Sequence, residues 1–241
     1  MKPFNDLLTS SAVAHGHLCP GQVVGVRMAM LGCRLIDLND LSHQDQNKNL
    51  IVYVEMDRCT ADALTHVTGC KLGRRSLKFM DYGIMAATFL NLETGNAFRV
   101  ISTEEARSLV PFYAPEVTGK SEQQLEAYRR MPDSVLFRVQ EVNVEVSEFD
   151  LPGPTRSKVS CSRCGQIVRD HREVVVDGLT LCRPCAHGAY FTNAQEIAWP
   201  DMNWAPNQNG QIGEFKHPAF GRFLTDLHPA GGVLAPKARR A

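Results

Sequence analysis

Apolar residues in the first third of the chain recur at helical spacing and then give way to short β-branched runs. Residues 3–14 predict a short helix. A second begins at Pro20, a residue suited to the first helical position, and continues through VVGVRMAMLGCRLIDL, which puts Cys19 at or beside the N-cap. After the polar stretch LSHQDQNKN, the run LIVYVEM at 50–56 reads as a strand that ends on Asp57, Arg58 and Cys59. TADALTHVT at 60–68 predicts a short helix with Thr60 as N-cap and Gly69 as its stop, and Cys70 follows at once. LKFMDYG, IMAATFLNL and AFRVIS predict strands, the last two joined by a hairpin turn at ETGN. Helical patches follow at TEEARSLV, from 103, and SEQQLEAYRR, from 121, before VLFRVQEVNVEVSEF at 135–149 alternates as one long strand. Helices and strands interleave irregularly, so the expected class is α+β with a mixed or antiparallel sheet.

LPGPTRSK at 151–158 can continue neither element and reads as a linker. It separates an N-terminal domain, 1–150, from a small cysteine-rich unit at 159–190. Residues 191–241 are rich in Asn, Pro and Gly and predict an irregular tail, in which Trp199, Trp204, Phe215 and Phe220 suggest that parts of it dock. With 241 residues and 44% apolar content the chain can bury a substantial core. Lys plus Arg total 26 against 26 for Asp plus Glu, so no global basic field draws in nucleic acid. MKPFNDLLTSSAVAHG lacks a charged region followed by an unbroken apolar stretch, and no segment approaches the roughly 18 apolar residues of a membrane span. The expectation is a soluble, cytoplasmic protein without a membrane partner.

The eight cysteines fall into two groups with different chemistry. Cys161 and Cys164 form one C-x-x-C pair and Cys182 and Cys185 another, which is the four-thiolate spacing of a structural zinc ribbon. VVVDGLTLC supplies a hairpin between the pairs, turning at Asp177 and Gly178. Two disulfides are the competing reading, disfavoured without an export signal, and tetrahedral iron is a smaller alternative. A closed four-thiolate site is structural rather than catalytic, holding about thirty residues that could not otherwise form a core. Arg163, Arg169, His171, Arg172 and Arg183 make the ribbon basic, a pattern more often a solvated surface than a nucleic-acid face.

In the N-terminal domain, His15, His17 and Cys19 lie within five positions, and Cys59, Asp62, His66 and Cys70 gather about forty residues later. Cys19 ahead of Pro20 meets the positive end of a helix dipole, which favours thiolate, a form that is both ligand and nucleophile. Cys59 leaves the end of an apolar strand and Asp62 shares the face of the helix that starts there. Cys33, inside an apolar helical stripe, reads as core packing, and His43 reads as an exposed loop residue. His15 is a doubtful member of the site.

The stretches GHLCPGQVVGVRMA and VEMDRCTADALTHVTGCKLGRRSLKFMDYGIMAATFL resemble the FmdE family, whose name derives from formylmethanofuran dehydrogenase. The matching positions are His17, Cys19, Pro20, Gly21, Cys59, Asp62, Gly69, Cys70, Gly73, Asp81 and Gly83, and the resemblance covers roughly residues 10–150. It implies an α+β domain, often dimeric, whose His and Cys positions line a cleft that can hold a transition metal. On that basis His17, Cys19 and Cys59 are the expected ligands of a second metal of unspecified identity, with Asp62 and Cys70 as outer residues or an additional ligand. Ile84 stands where the family usually has lysine after Asp-Tyr-Gly, and His66 where it usually has an apolar residue.

Three functions remain open at this point. The first is a metal-binding accessory protein with a structural zinc ribbon, serving a molybdenum or tungsten enzyme as partner. The second is an enzyme in which an open metal position, or Cys19, Cys59 and Asp62 directly, carries catalysis. The third is an interaction or regulatory module docking through the ribbon. A homodimer is expected, and nucleic acid is not.

Overall fold

The helix that begins at Pro20 is buried on nearly every side, and the N-terminal unit is built around it. The computed structural model describes residues 1–38 and 47–195 and separates into two units, Met1–Pro154 and Thr155–Ala241. The expected exposed His43, most of the polar loop before residue 50 and the tail from 196 onward lie outside the described residues. In the first unit α1 (Phe4–His15) ends on Gly16, whose φ of 99° is the left-handed stop that frees the chain to turn. α2 (Pro20–Leu35) then takes Pro20 at its first position and buries Val23, Val26, Met28, Ala29 and Cys33.

A five-stranded mixed sheet in the order β2-β1-β3-β4-β5 lies against α2. β1 (Leu50–Val54) runs parallel to β2 (Leu77–Phe79) and antiparallel to β3 (Ala86–Asn91), with Val52 opposite Leu77 on one side and Phe89 on the other. β3 and β4 (Ala97–Ser102) form the expected hairpin, and β5 (Phe137–Glu141) closes the far edge. The alternation is strict. Leu50, Val52, Val54, Ala87, Phe89 and Val100 face the main core with α2, while Ile51, Leu90 and Ala97 face the opposite side. Between β1 and β2 lies α3 (Cys59–Thr68), packed on α1 and α2. Between β4 and β5 come α4 (Glu104–Ser108), α5 (Val110–Tyr113), α6 (Lys120–Arg130) and α7 (Asp133–Leu136).

Three expectations are corrected. The alternating stretch 135–149 is not one strand: its first two residues belong to α7 and only Phe137–Glu141 pairs with β4. Val142 N donates to Ala97 O at 3.0 Å, and because β4 starts at Ala97 there is no partner strand beyond it. The chain then crosses the second face of the sheet with Val142, Val144 and Val146 against Ile51, Leu90 and Ala97, and the carbonyls of Phe149 and Asp150 accept from Arg75 and Lys78 at the β2 edge. The alternation is therefore that of a strap half-buried on one side. Thr60 is not an N-cap either, since α3 starts one residue earlier and the Thr60 hydroxyl donates to Gly21 O at 3.2 Å. The strand expected over LKFMDYG stops at Phe79, because β1 ends at Val54 and the chain turns through Gly83 at φ 68°.

Glycines on α2 set how closely its neighbours approach. A Cβ at Gly32 would sit 2.2 Å from the Phe89 ring, and one at Gly25 would sit 2.6 Å from Ala63 Cβ and 2.8 Å from Thr60 O. Gly25 thus brings the start of α3 against α2 and sets the spacing of the site described below. On an exposed helix Gly→Ala gains about 1 kcal/mol. At Gly25 the obstructing atoms include backbone, so the sign reverses: Gly25→Ala is expected to cost about 1–3 kcal/mol, read as a fall in melting temperature of about 2–4 °C for each kcal/mol. A rise in melting temperature would show that α2 and α3 can separate without loss.

The second unit holds two hairpins. β6 (Lys158–Ser160) pairs with β7 (Ile167–Arg169), and β8 (Val174–Val176) with β9 (Leu179–Leu181), followed by α8 (Arg183–His187). Asp177 and Gly178 form the expected turn, both with positive φ (51° and 77°), as a two-residue hairpin of the right twist requires. Its buried apolar content is Cys161, Leu181 and Cys182. Among the described residues no helix is long and apolar enough to cross a membrane.

Candidate metal centres

The four ribbon thiols converge. The sulfurs of Cys161, Cys164, Cys182 and Cys185 all lie within 4.8 Å of one another. Zn–S bonds of about 2.3 Å in a tetrahedron separate sulfurs by about 3.8 Å, and Cys164 Sγ stands 3.7 Å from Cys182 Sγ. Gly165, in the left-handed region at φ 72°, returns its N–H to Cys161 O at 2.9 Å and closes the first knuckle, while Cys182 sits at the N-cap of α8 and opens the second. Backbone N–H groups of Cys164 and Cys182 pull the Cys161 thiol down to about 6, whereas its thiol neighbours, Cys182 first, push Cys185 up to about 12. Four thiolates at this separation repel one another, so the set is complete only around a cation. The four-cysteine cluster is a structural zinc site.

A second cluster forms at the corner between α1 and α2. His15 is the last residue of α1, Gly16 turns the chain, and Cys19 caps α2 in extended conformation, so residues 15, 17 and 19 direct their side chains to one point. The ligating atoms of His15, His17 and Cys19 lie within 4.8 Å of one another, and the two imidazole centroids are 4.8 Å apart. Asp62 on α3 accepts from His15 Nδ1 at 2.9 Å. That bond puts the proton on Nδ1 and the lone pair of the neutral ring on Nε2, which is buried and has no hydrogen-bond partner among the described residues. A buried nitrogen left unmatched costs about 1–3 kcal/mol. A carboxylate behind one imidazole nitrogen and a free lone pair on the other is the arrangement by which proteins orient a metal-ligating histidine.

Cys59, the first residue of α3, sits beside Cys19: the two thiols hydrogen-bond, and a Cβ on Gly21 would meet Cys59 Cβ at 3.0 Å and Cys19 Sγ at 3.7 Å. Burial, then the hydrogen bond with Cys19, raises the Cys59 thiol above its ordinary value. Gln22, fully buried, locks the corner. It accepts from Ser11 Oγ at 2.5 Å and donates to Cys59 O at 2.7 Å, tying α1, α2 and α3 together.

His17, Cys19 and Cys59 are thus gathered, with Asp62 engaged through His15. Cys70 stands apart in the main core, 1% exposed, with its thiol toward Leu50 O. His66 bonds Ser10 Oγ at 2.9 Å on the outer side of α3. Sequence reading gave least weight to His15 and did not find Gln22. The His-x-His-x-Cys alternation around a glycine turn was a usable signal for the first, and a polar residue in the third position of an otherwise apolar helix for the second.

Comparison with known proteins fits this division. Residues 14–146, more than half the chain, match the family model described as "FmdE, Molybdenum formylmethanofuran dehydrogenase operon". Residues 153–191 match the prokaryotic dksA/traR C4-type zinc finger. A curated relative from Archaeoglobus fulgidus, named a probable S-adenosyl-L-methionine-binding protein, is 26% identical over 201 residues, 77% of this chain and 53% of its own length. The chain therefore spans about half the length of that relative. Among solved structures, an FmdE-like protein of tungsten formylmethanofuran dehydrogenase from Syntrophus aciditrophicus superposes with a TM-score of 0.52 at 17% identity, covering 78% of this chain and 94% of that one, a likeness of fold.

Proposed function

We propose, from the premise that this chain belongs to the FmdE family, that its N-terminal corner is a second metal centre and that the chain carries that metal on behalf of a partner metalloenzyme. Family and zinc finger together support a metal-binding accessory protein. The observation carrying the finer reading is the buried, unmatched Nε2 of His15 beside His17 and Cys19, with Asp62 holding the opposite nitrogen. In this reading His15, His17 and Cys19 are ligands, Cys59 stands at the fourth position, and Asp62 orients His15. Two imidazoles and a thiolate suit zinc and its neighbours among the transition metals, and only three fixed ligands leave room for exchange. Delivery to a molybdenum or tungsten enzyme belongs to the same proposal.

Asp62 tests it, because its side chain is 67% exposed and its removal spares the core. Asp62→Ala is expected to weaken zinc at this centre about 10–100-fold, as loss of an outer-sphere carboxylate does elsewhere, while the ribbon equivalent stays. Asp62→Asn, which keeps an acceptor for Nδ1, recovers part of the loss. Competition with a chromophoric chelator reads both, and unchanged affinity in Asp62→Ala removes His15 from the ligand set.

A further inference from the structure

α1 and α3 leave between them a groove of about 630 Å³ whose walls are chemically unequal. One stretch is apolar, from Leu7, Ala14 and Val67. The other carries Lys2, Lys71 and His66, and neither lysine has an ion-pair partner among the described residues. Asp62, the one carboxylate lining the groove among the described residues, is already bonded to His15. In a chain whose charges balance, this is a local excess of positive groups with no internal anion to match it.

His66 sharpens the point. Ser10 Oγ donates to Leu7 O at 3.1 Å, so at the 2.9 Å contact it accepts, and His66 Nε2 is the donor. The second ring nitrogen, Nδ1, is the acceptor of the neutral ring and becomes a donor only when the ring is charged. Burial first, and then the charge of Lys2, hold His66 below its ordinary value. An anion placed between Lys2, Lys71 and His66 would relieve both.

We propose that this groove binds a small organic anion, its charged head between Lys2, Lys71 and His66 and its apolar body along Leu7, Ala14 and Val67. The His15–Asp62 pair lines the groove and also belongs to the His/Cys cluster, so the ligand lies one residue from that centre. Binding in the groove does not depend on a metal there.

Hexanoate is the probe, with hexanamide as its uncharged counterpart, titrated into the full zinc-loaded chain carrying ¹³C-labelled histidine. The expected result is a saturable shift of the His66 resonance with hexanoate and none with hexanamide. The double variant Lys2→Glu, Lys71→Glu alters surface positions where substitutions seldom disturb folding, and it is expected to weaken hexanoate at least tenfold. Absence of a saturable shift, an equal response to hexanamide, or equal affinity in the charge-reversed variant would overturn the proposal. In a His17→Ala, Cys19→Ala background the His66 shift is expected to persist, which separates failure of the groove from failure of the metal centre.

Discussion

Protein purified without added metal is expected to carry two metal equivalents per chain, and the His17→Ala, Cys19→Ala variant one. The retained equivalent is the zinc of Cys161, Cys164, Cys182 and Cys185, whose ligands all lie in the second unit. Loss of the other follows from the ligand count: removing two of three donors leaves His15 Nε2 alone, and a lone imidazole holds a metal no better than a surface histidine. The loss should exceed the roughly 10–100-fold produced by removing an outer-sphere partner. It should do so without unfolding the first unit, since neither His17 nor Cys19 belongs to the core around α2. Elemental analysis paired with thermal melting separates the effects. One equivalent in both proteins would reject the second centre and leave the Cys19–Cys59 contact as a thiol pair.

The core of the first unit was legible because its signals are local. Apolar spacing placed α2, and β-branched runs flanked by turn residues placed β1 and the β3–β4 hairpin. The failure at 135–149 has a definite cause. Val142, Val144 and Val146 repeat every second residue because a strap lying on a sheet buries one side just as a strand does. Periodicity reports which side is buried, and the ladder depends on a partner strand whose length is set at Ala97, far away in sequence.

The same distinction governs the candidate site. Cys19 could be placed at a helix start from Pro20 alone, and Cys59 at a strand end from LIVYVEM. What brings them together is Gly25, whose missing side chain lets α3 touch α2, and Gln22, which fixes the carbonyl of Cys59. Both act across more than thirty residues of chain. His15 and Asp62 are 47 positions apart, and only the packing of α1 on α3 turns a doubtful histidine and an optional carboxylate into one oriented pair.

Chelation of the ribbon metal at neutral pH, with a thiol reductant present, is expected to unfold the second unit and leave the first intact. The reason is the size of what is left. Without the metal the ribbon's buried apolar content is Leu181 and two former ligands, Cys161 and Cys182, with Val168 and Ala186 partly covered. Full burial of one leucine stabilises by about 1.5–3 kcal/mol, whereas ordering each residue of a small scaffold costs about 1.5 kcal/mol, so two three-residue hairpins cannot persist on that core. Zinc bound by a small finger contributes about 10–16 kcal/mol at pH 7, enough to reverse the balance. Hydrogen exchange followed by peptide mass analysis should show loss of protection over 158–187 and none over 20–35 or 86–102. Cys161→Ser should reproduce the pattern without chelator, because the remaining three thiols no longer close a tetrahedron. If protection over 158–187 survives metal removal and disappears only when reductant is added, disulfides hold the ribbon and the zinc assignment falls.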